Sequence, residues 1–458
     1  MSKAFGVISN RLGEQSRDKQ DNPPSSHPAD SSKYQITPEI REVLDLAESS
    51  QGRIIFVTGA AGTGKSTLID ILRSETRKRL AVVAPTGVAA INNRGQTIHS
   101  FFQLPPGPQP RAREIRGAKG LVIKNMEILV IDEVSMVRAD LMDAIADSLR
   151  INSKNHRTPF AAKTVILIGD MHQLPPIVAT QNERRLFQER YDTPYFFSAE
   201  ALKTVEPVTR MLTRSFRQQD QTFVDLLNNI RVGNDLENAI AVLNRHCYKR
   251  TDHAKSLLTL TTVNAKADRI NQSELEAIDA DALSFEAELE GDWGERDNQL
   301  PAPRILELKK GAQVMFLKNH AKWVNGTIGK IVALTRDSVR VQIGSGPFKG
   351  DVSVQKETWE RVKYNWDDNE QRIVTTVVGS YTQLPFRLAW AVTIHKAQGV
   401  TLDSVTIDLD RGTFERGQAY VALSRCRTME GISLSRPLRV DDIKLDKSIV
   451  EFYAHLGV

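Results

Sequence analysis

Residues 54 to 67 read IIFVTGAAGTGKST. An apolar run suited to a buried strand meets a glycine-rich turn, and a helical pattern follows at once. Within it, GAAGTGKS matches the phosphate-loop spacing G-x-x-x-x-G-K-S. Gly59, Gly62 and Gly64 let backbone N–H groups curl around a phosphate, and Lys65 reaches the β and γ oxygens. The Ser66 hydroxyl is a ligand for Mg²⁺, and Thr67 is counted with these residues as a nucleotide contact. Strand, loop and helix in this order predict an α/β fold with a parallel sheet.

The chain outward from this loop agrees. AVVAP (81 to 85), ILVID (128 to 132) and TVILIGD (164 to 170) are short, almost wholly apolar runs separated by helical or polar segments, as in sheets covered on both faces. ILVIDE places Asp132 where it holds the metal ion and Glu133 where a base belongs. GDMHQLPPI offers Gln173 as a neutral sensor of the γ-phosphate; His172 beside it has no evident partner. Arg217 in LTRSFRQ and Arg425 in ALSRCR are candidate arginine fingers reaching across a cleft.

Residues 1–35 read as a disordered tail, and 36–205 as a first α/β domain. The Pro/Gly/Arg-rich stretch at about 103–121 interrupts that domain as a surface excursion. A second α/β domain is expected over 206–304 and 386–437, split by a β-rich insertion at 305–385 that fits a small barrel or sheet. A C-terminal helix is expected over 438–458. With 458 residues, 40% hydrophobic and 26% charged, the chain is globular and multidomain. A net charge of +5 permits nucleic acid without showing it. Two cysteines, Cys247 and Cys426, support neither a disulfide framework nor a zinc site. No apolar run is long enough to span a membrane and no signal peptide is evident, so a cytoplasmic location is expected.

APTGVAA, TIHSFF, IDEVSMVRADLMDAI, GDMHQLPPI, LTRSFRQ, TIHKAQGVTLD and AYVALSRCR, in this order, resemble the motifs of superfamily 1 DNA helicases. The match is to the Pif (petite integration frequency) family and its RecD-like relatives, over about residues 36 to 437. The resemblance implies two RecA-like domains closing on ATP and Mg²⁺, with a barrel-like insertion in the second and a wedge in the first. It also implies 5′-to-3′ movement on single-stranded DNA, unwinding of tailed or forked duplex, and work as a monomer.

By the same resemblance, Thr393, His395 and Lys396 of AWAVTIHKAQG (389 to 399) face single-stranded DNA, while Gln398 and Gly399 approach the nucleotide. Thr86, Thr97, His99, Phe101, Phe102 and Asn264 are further DNA candidates, with Phe101 or Phe102 stacking on a base and the other of the pair pointing inward. One departure stands out. Family members carry an adenine-reading glutamine near the start of the helix before the phosphate loop, where TPEIREVL has Ile40. A different reading of the same motifs is a DNA-stimulated translocase that does not separate strands; a third is a nucleotide-gated binding module.

Overall fold

The computed structural model describes residues 35–49, 51–178, 180–248, 258–293, 300–336, 338–344 and 348–457. Nearly all of the expected N-terminal tail, 1–34, lies outside them.

Six strands form the first sheet, in the order Gln96–Thr97, Leu80–Ala84, Ile128–Ile131, Thr164–Ile168, Ile54–Gly59, Val208–Leu212. Every pairing is parallel. Strand side chains alternate between two cores. Phe56, Val83, Ile131 and Leu167 face one side with the helix Ala139–Asn152, while Val57, Val82, Val130 and Ile168 face the other with Pro38–Ser49 and Lys65–Glu75. Burial on both faces is why these strands read as unbroken apolar runs.

Four parallel strands, Ala391–Thr393, Thr259–Thr261, Val405–Asp408 and Ile432–Leu434, build a second sheet with its own core. The helices Gln221–Val232, Leu236–Cys247 and Gln418–Leu423 contribute to that core, and Asn264–Glu276 lies against the strands.

The expected boundary at 205/206 does not hold. Val208–Leu212 pairs with Ile54–Gly59 and is the outer strand of the first sheet, so the chain crosses to the second unit only after it. The last helix, Lys447–His455, also returns to the first unit: Phe452 packs on Phe56 with ring centroids 5.6 Å apart, and the Tyr453 hydroxyl lies 2.7 Å from Thr58 Oγ1.

Three antiparallel sheets occupy the β-rich region, and they reach beyond 305–385. Ile305–Lys309 pairs with Ala282–Glu286, Arg372–Gln383 with Glu288–Gly291, and Gln313–Phe316 with Phe386–Leu388. The long hairpin of Glu357–Asp367 and Arg372–Gln383 touches the first unit. There the Tyr364 hydroxyl accepts from the Val82 N–H at 3.1 Å, and Gln96 Nε2 donates to the Val362 carbonyl at 3.0 Å.

The excursion at 103–121 is anchored rather than loose. Leu104 and Ile115 are buried, Gln109 N–H donates to Asp140, and Arg138 donates to the Gly107 carbonyl at 2.7 Å. Its end already belongs to the helix Gly117–Asn125. Among the described residues, no helix is long and apolar enough to cross a membrane.

Tyr453 is 6% exposed, and its hydroxyl also accepts from the Met171 N–H at 3.2 Å. Tyr453→Ala is therefore expected to cost about 3–5 kcal/mol of stability, whereas Glu451→Ala on the exposed face of the same helix stays within about 0.5 kcal/mol. Urea unfolding followed by tryptophan fluorescence reads both; coincident midpoints would show that the helix does not support the first unit.

Candidate nucleotide cleft and its link to the second unit

The phosphate loop joins Ile54–Gly59 to the N-terminus of Lys65–Glu75, where free backbone N–H groups and the helix dipole favour an anion. Gly62 and Gly64 have φ of 83° and 88°, left-handed values that side chains disfavour. At Gly62 a Cβ would also stand 2.5 Å from Arg217 Cβ, so glycine is needed there twice over. Lys65 Nζ donates to the Gly59 and Ala60 carbonyls, each at 2.8 Å, and burial lowers its pKa against the pull of Asp170 and Glu133. The Ser66 hydroxyl is exposed at the loop.

Asp132 and Glu133 follow the strand Ile128–Ile131. Burial raises the Asp132 pKa while Asn93 donates to its Oδ2. Glu133 sits at φ 50°, unusual for a side-chain-bearing residue, and burial with the neighbouring Asp132 pushes its carboxyl up to about 7. Among the described residues, no cluster of three or more His, Cys, Asp or Glu side chains makes a metal site by itself. An exposed hydroxyl and a partly engaged carboxylate, Ser66 and Asp132, suit Mg²⁺, which takes few protein oxygens and fills its shell with phosphate and water.

Gln398 carries the second unit into this cleft. Its Nε2 donates to Glu133 Oε2 at 3.2 Å and lies 3.5 Å from Gln173 Oε1. Gly399 beside it has φ 80°. Arg425 is 1% exposed, tied through Nε to the Val421 carbonyl and through Nη2 to Ser424 Oγ, both at 2.8 Å. Arg217 donates to the Ser424 carbonyl at 3.0 Å, and burial, with Arg425 close by, pushes its pKa down to about 9. The two guanidinium groups crowd one another beside the phosphate loop, with hydrogen bonds to uncharged oxygens.

A hub missing from the sequence reading joins these parts. Asp170, with no exposed surface, accepts from Arg231 Nε at 3.1 Å and Nη2 at 3.0 Å. It also accepts from the Tyr420 hydroxyl at 3.2 Å and from Gln173 Nε2 at 3.3 Å. Burial works against its charge, but Arg231 and Lys65 outweigh it and hold the carboxyl at about 2. The Tyr420 oxygen in turn accepts from the Ala61 N–H of the phosphate loop at 2.9 Å. GDMHQLPPI, NNIRVG and QAYVALSR displayed these three side chains, but their meeting depends on two units coming together. His172, unpartnered in sequence terms, stacks on Tyr453 at 5.0 Å, and burial pushes its pKa down to about 4.

The DNA candidates scatter. Phe101 and Phe102 are 0% and 1% exposed, packed edge-on to each other at 4.8 Å, so the expectation that one of them stacks on a base fails: the Tyr364 hairpin covers the side left open by the sheet. Thr86 and Thr97 cap short helices, accepting from the Ala89 and Ser100 N–H groups. His99 is half-buried, and burial lowers its pKa. Asn264 is exposed at the start of its helix. His395 Nε2 lies 2.8 Å from Glu415, Lys396 is exposed, and Thr393 is 3% exposed on a cavity wall that Lys396 shares. Ile40 is 1% exposed in the core beneath the first sheet, which leaves no adenine-reading side chain at that position.

A phosphate loop at the edge of one parallel sheet, faced by arginines and a glutamine from a second unit, defines a two-unit P-loop nucleotide-binding protein. Residues 35–239 match the family model PIF1-like helicase. The ATP-dependent DNA helicase Pif1 of Bdellovibrio bacteriovorus is 33% identical over 431 residues, covering 92% of each chain. A crystal structure of Bacteroides sp Pif1 in complex with ADP-AlF4 superposes with a TM-score of 0.84 at 33% identity, covering 93% of this chain and 97% of that one. The ATP-dependent DNA helicase PIF1 of Emericella nidulans is 33% identical over 473 residues; 89% of this chain is covered, but it spans only 61% of that protein's length. The chain belongs to the PIF1-like helicase family.

Tyr420→Phe removes the oxygen on which the Ala61 N–H and Asp170 both depend. It is expected to lower stability by about 1–3 kcal/mol, seen as a lower thermal midpoint. An unchanged midpoint would mean that this link between the units is not closed in solution.

Proposed function

We propose that this protein is an ATP-dependent DNA helicase, built from two RecA-like units, that moves 5′ to 3′ on single-stranded DNA. The first unit would comprise 36–212 with the C-terminal helix, and the second 213–281 and 389–437. The antiparallel region 282–388 is the accessory insertion, and the anchored stretch 103–121, with Arg111, Arg113 and Arg116 exposed, is the wedge. One observation carries this reading: the TIHKAQG loop puts Gln398 on Glu133 in the nucleotide cleft while exposing Lys396 on its other side. A single rigid turn serves two ligands. The partner names of the relatives, DNA helicases all, support the same assignment.

ATP would seat its phosphates on the loop amides and Lys65. Ser66 and Asp132 would hold Mg²⁺, which would supply positive charge to neutralise the phosphates. Glu133 takes a proton from the attacking water as the new oxygen–phosphorus bond forms and the β–γ bridge breaks, leaving ADP and phosphate. Gln173 and Gln398 orient that water through their contacts with Glu133 and Asp170. Arg217 and Arg425 stabilise the charge that develops on the transferred group, which makes hydrolysis depend on the two units being together. Thr86, Thr97, His99, Asn264, Thr393, His395 and Lys396 would line the strand's path, through backbone contacts that do not read sequence.

A base with a pKa near 7 is ionised above that value. Turnover of ATP is accordingly expected to rise as pH climbs through about 7, and Glu133→Gln should remove the rise and lower kcat by about 10²–10⁴-fold. A pH–rate profile that is flat in the wild type would remove Glu133 from the role of base. Strand separation on matched duplexes with a 5′ or a 3′ single-stranded tail tests the activity itself. Opening of the 5′-tailed duplex alone is the expected result. Opening of the 3′-tailed duplex alone would refute the polarity, and DNA-stimulated hydrolysis with neither duplex opened would leave a translocase.

A further inference from the structure

The antiparallel strand Phe386–Leu388 abuts the second parallel sheet, and its middle residue is a cation. Arg387 pairs in register with Met315, and strand alternation puts these two on the face opposite Phe386 and Leu388. Phe386 belongs to the core of the antiparallel region, Met315 to that of the second parallel sheet. Arg387 therefore leaves its own sheet's core and enters the junction between the antiparallel region and the second parallel sheet.

That junction holds a cavity of about 380 Å³, which Arg387 lines together with Thr393 and Lys396. Arg387 Nε is closed off from solvent and has no hydrogen-bond partner among the described residues. Burial lowers the guanidinium pKa, and burial together with Arg387 lowers that of Lys396. Of the other polar groups on the wall, Asn271 is already committed. Asn271 Oδ1 accepts from the Trp390 and Ala391 N–H groups, and its Nδ2 donates to the Ala391 carbonyl. Asp268 and Glu307 are exposed at the rim, with Asp268 acting on Lys396. Arg387 is half-buried, and a shielded guanidinium nitrogen left unbonded is costly to keep.

We propose that Arg387 is a phosphate-binding residue for the DNA single strand, and that the strand's backbone passes through this cavity with one phosphate on the Arg387 guanidinium and its neighbour near Lys396. The planar guanidinium fork matches two phosphate oxygens at once, which an ammonium cannot do. The cavity is large enough for a nucleotide-sized group and opens beside Thr393, at the foot of the loop that reaches the ATP cleft. This assignment rests on the DNA reading above and adds to it a residue outside the family motifs.

Anisotropy of a fluorescein-labelled oligothymidylate, titrated with protein over a series of KCl concentrations, tests it. Arg387→Ala is expected to weaken binding roughly ten-fold and to reduce the slope of log affinity against log salt by about 0.7, the value for one single-strand phosphate contact. Arg387→Lys, which keeps the charge, should retain the slope and lose part of the affinity. If Arg387→Ala fails to fold, as its thermal melt would show, Arg387→Gln takes its place with the same expectation. Wild-type binding with unchanged affinity and slope in the neutral variant would overturn the proposal. No binding by the wild type would instead overturn the DNA reading, and this assignment with it.

Discussion

The buried pair of Asp170 and Arg231 is the contact on which the geometry of the cleft depends. Asp170 lies just past the strand Thr164–Ile168 of the first sheet and Arg231 on a helix of the second unit, 0% and 8% exposed at the side chain. Desolvating both charges is costly, and their attraction repays it only when the remaining valences are also filled. Here they are: Tyr420, Gln173 and the His172 N–H also reach the carboxylate. Removing one partner of such a pair typically costs about 3–5 kcal/mol, so the pair contributes to the arrangement of the two units seen here. Tyr420 then fixes the phosphate loop itself through the Ala61 amide.

Within that frame the charges are unbalanced by position. Lys65, Arg217 and Arg425 crowd the phosphate loop, and burial lowers the pKa of each. On the carboxylate side, Asp132 and Glu133 are raised while Asp170 is committed to Arg231. A polyanion placed among the three cations relieves their mutual repulsion, and it also brings charge close to Glu133. Strained backbone at Glu133 and the left-handed glycines of the loop fix the positions of these groups.

The parallel strands were legible because burial on both faces writes itself as local apolarity, and the phosphate loop because its chemistry is local too. What failed was non-local. Val208–Leu212 is mostly half-buried and carries Thr209 and Arg210, so nothing in it announces membership of the first sheet; only its pairing does. Ala282–Gly291 is polar and largely exposed, and becomes strand through partners some tens of residues away. Phe101 and Phe102 adjoin on one turn, and that spacing argues for one ring inside and one out. Both are buried, and a hairpin arriving from another part of the chain packs Tyr364 on Phe101. Asp170, Arg231 and Tyr420 were visible as residues but silent as a site, because each sits on a different element.

The turn from Thr393 to Gly399 explains how a nucleotide event could be felt by DNA without a long mechanical path. The Ala397 N–H donates to the Thr393 carbonyl at 3.1 Å and the Gln398 N–H to the His395 carbonyl at 3.2 Å, so the segment is internally bonded. Its two ends cannot shift independently. Gln398 touches Glu133 in the nucleotide cleft, and Thr393 borders the Arg387 cavity. A ligand at either end that prefers one position of the turn must bias the other end by the same free energy, because linkage is reciprocal. The His395 contact to Glu415 supplies a second fixed point on the same turn.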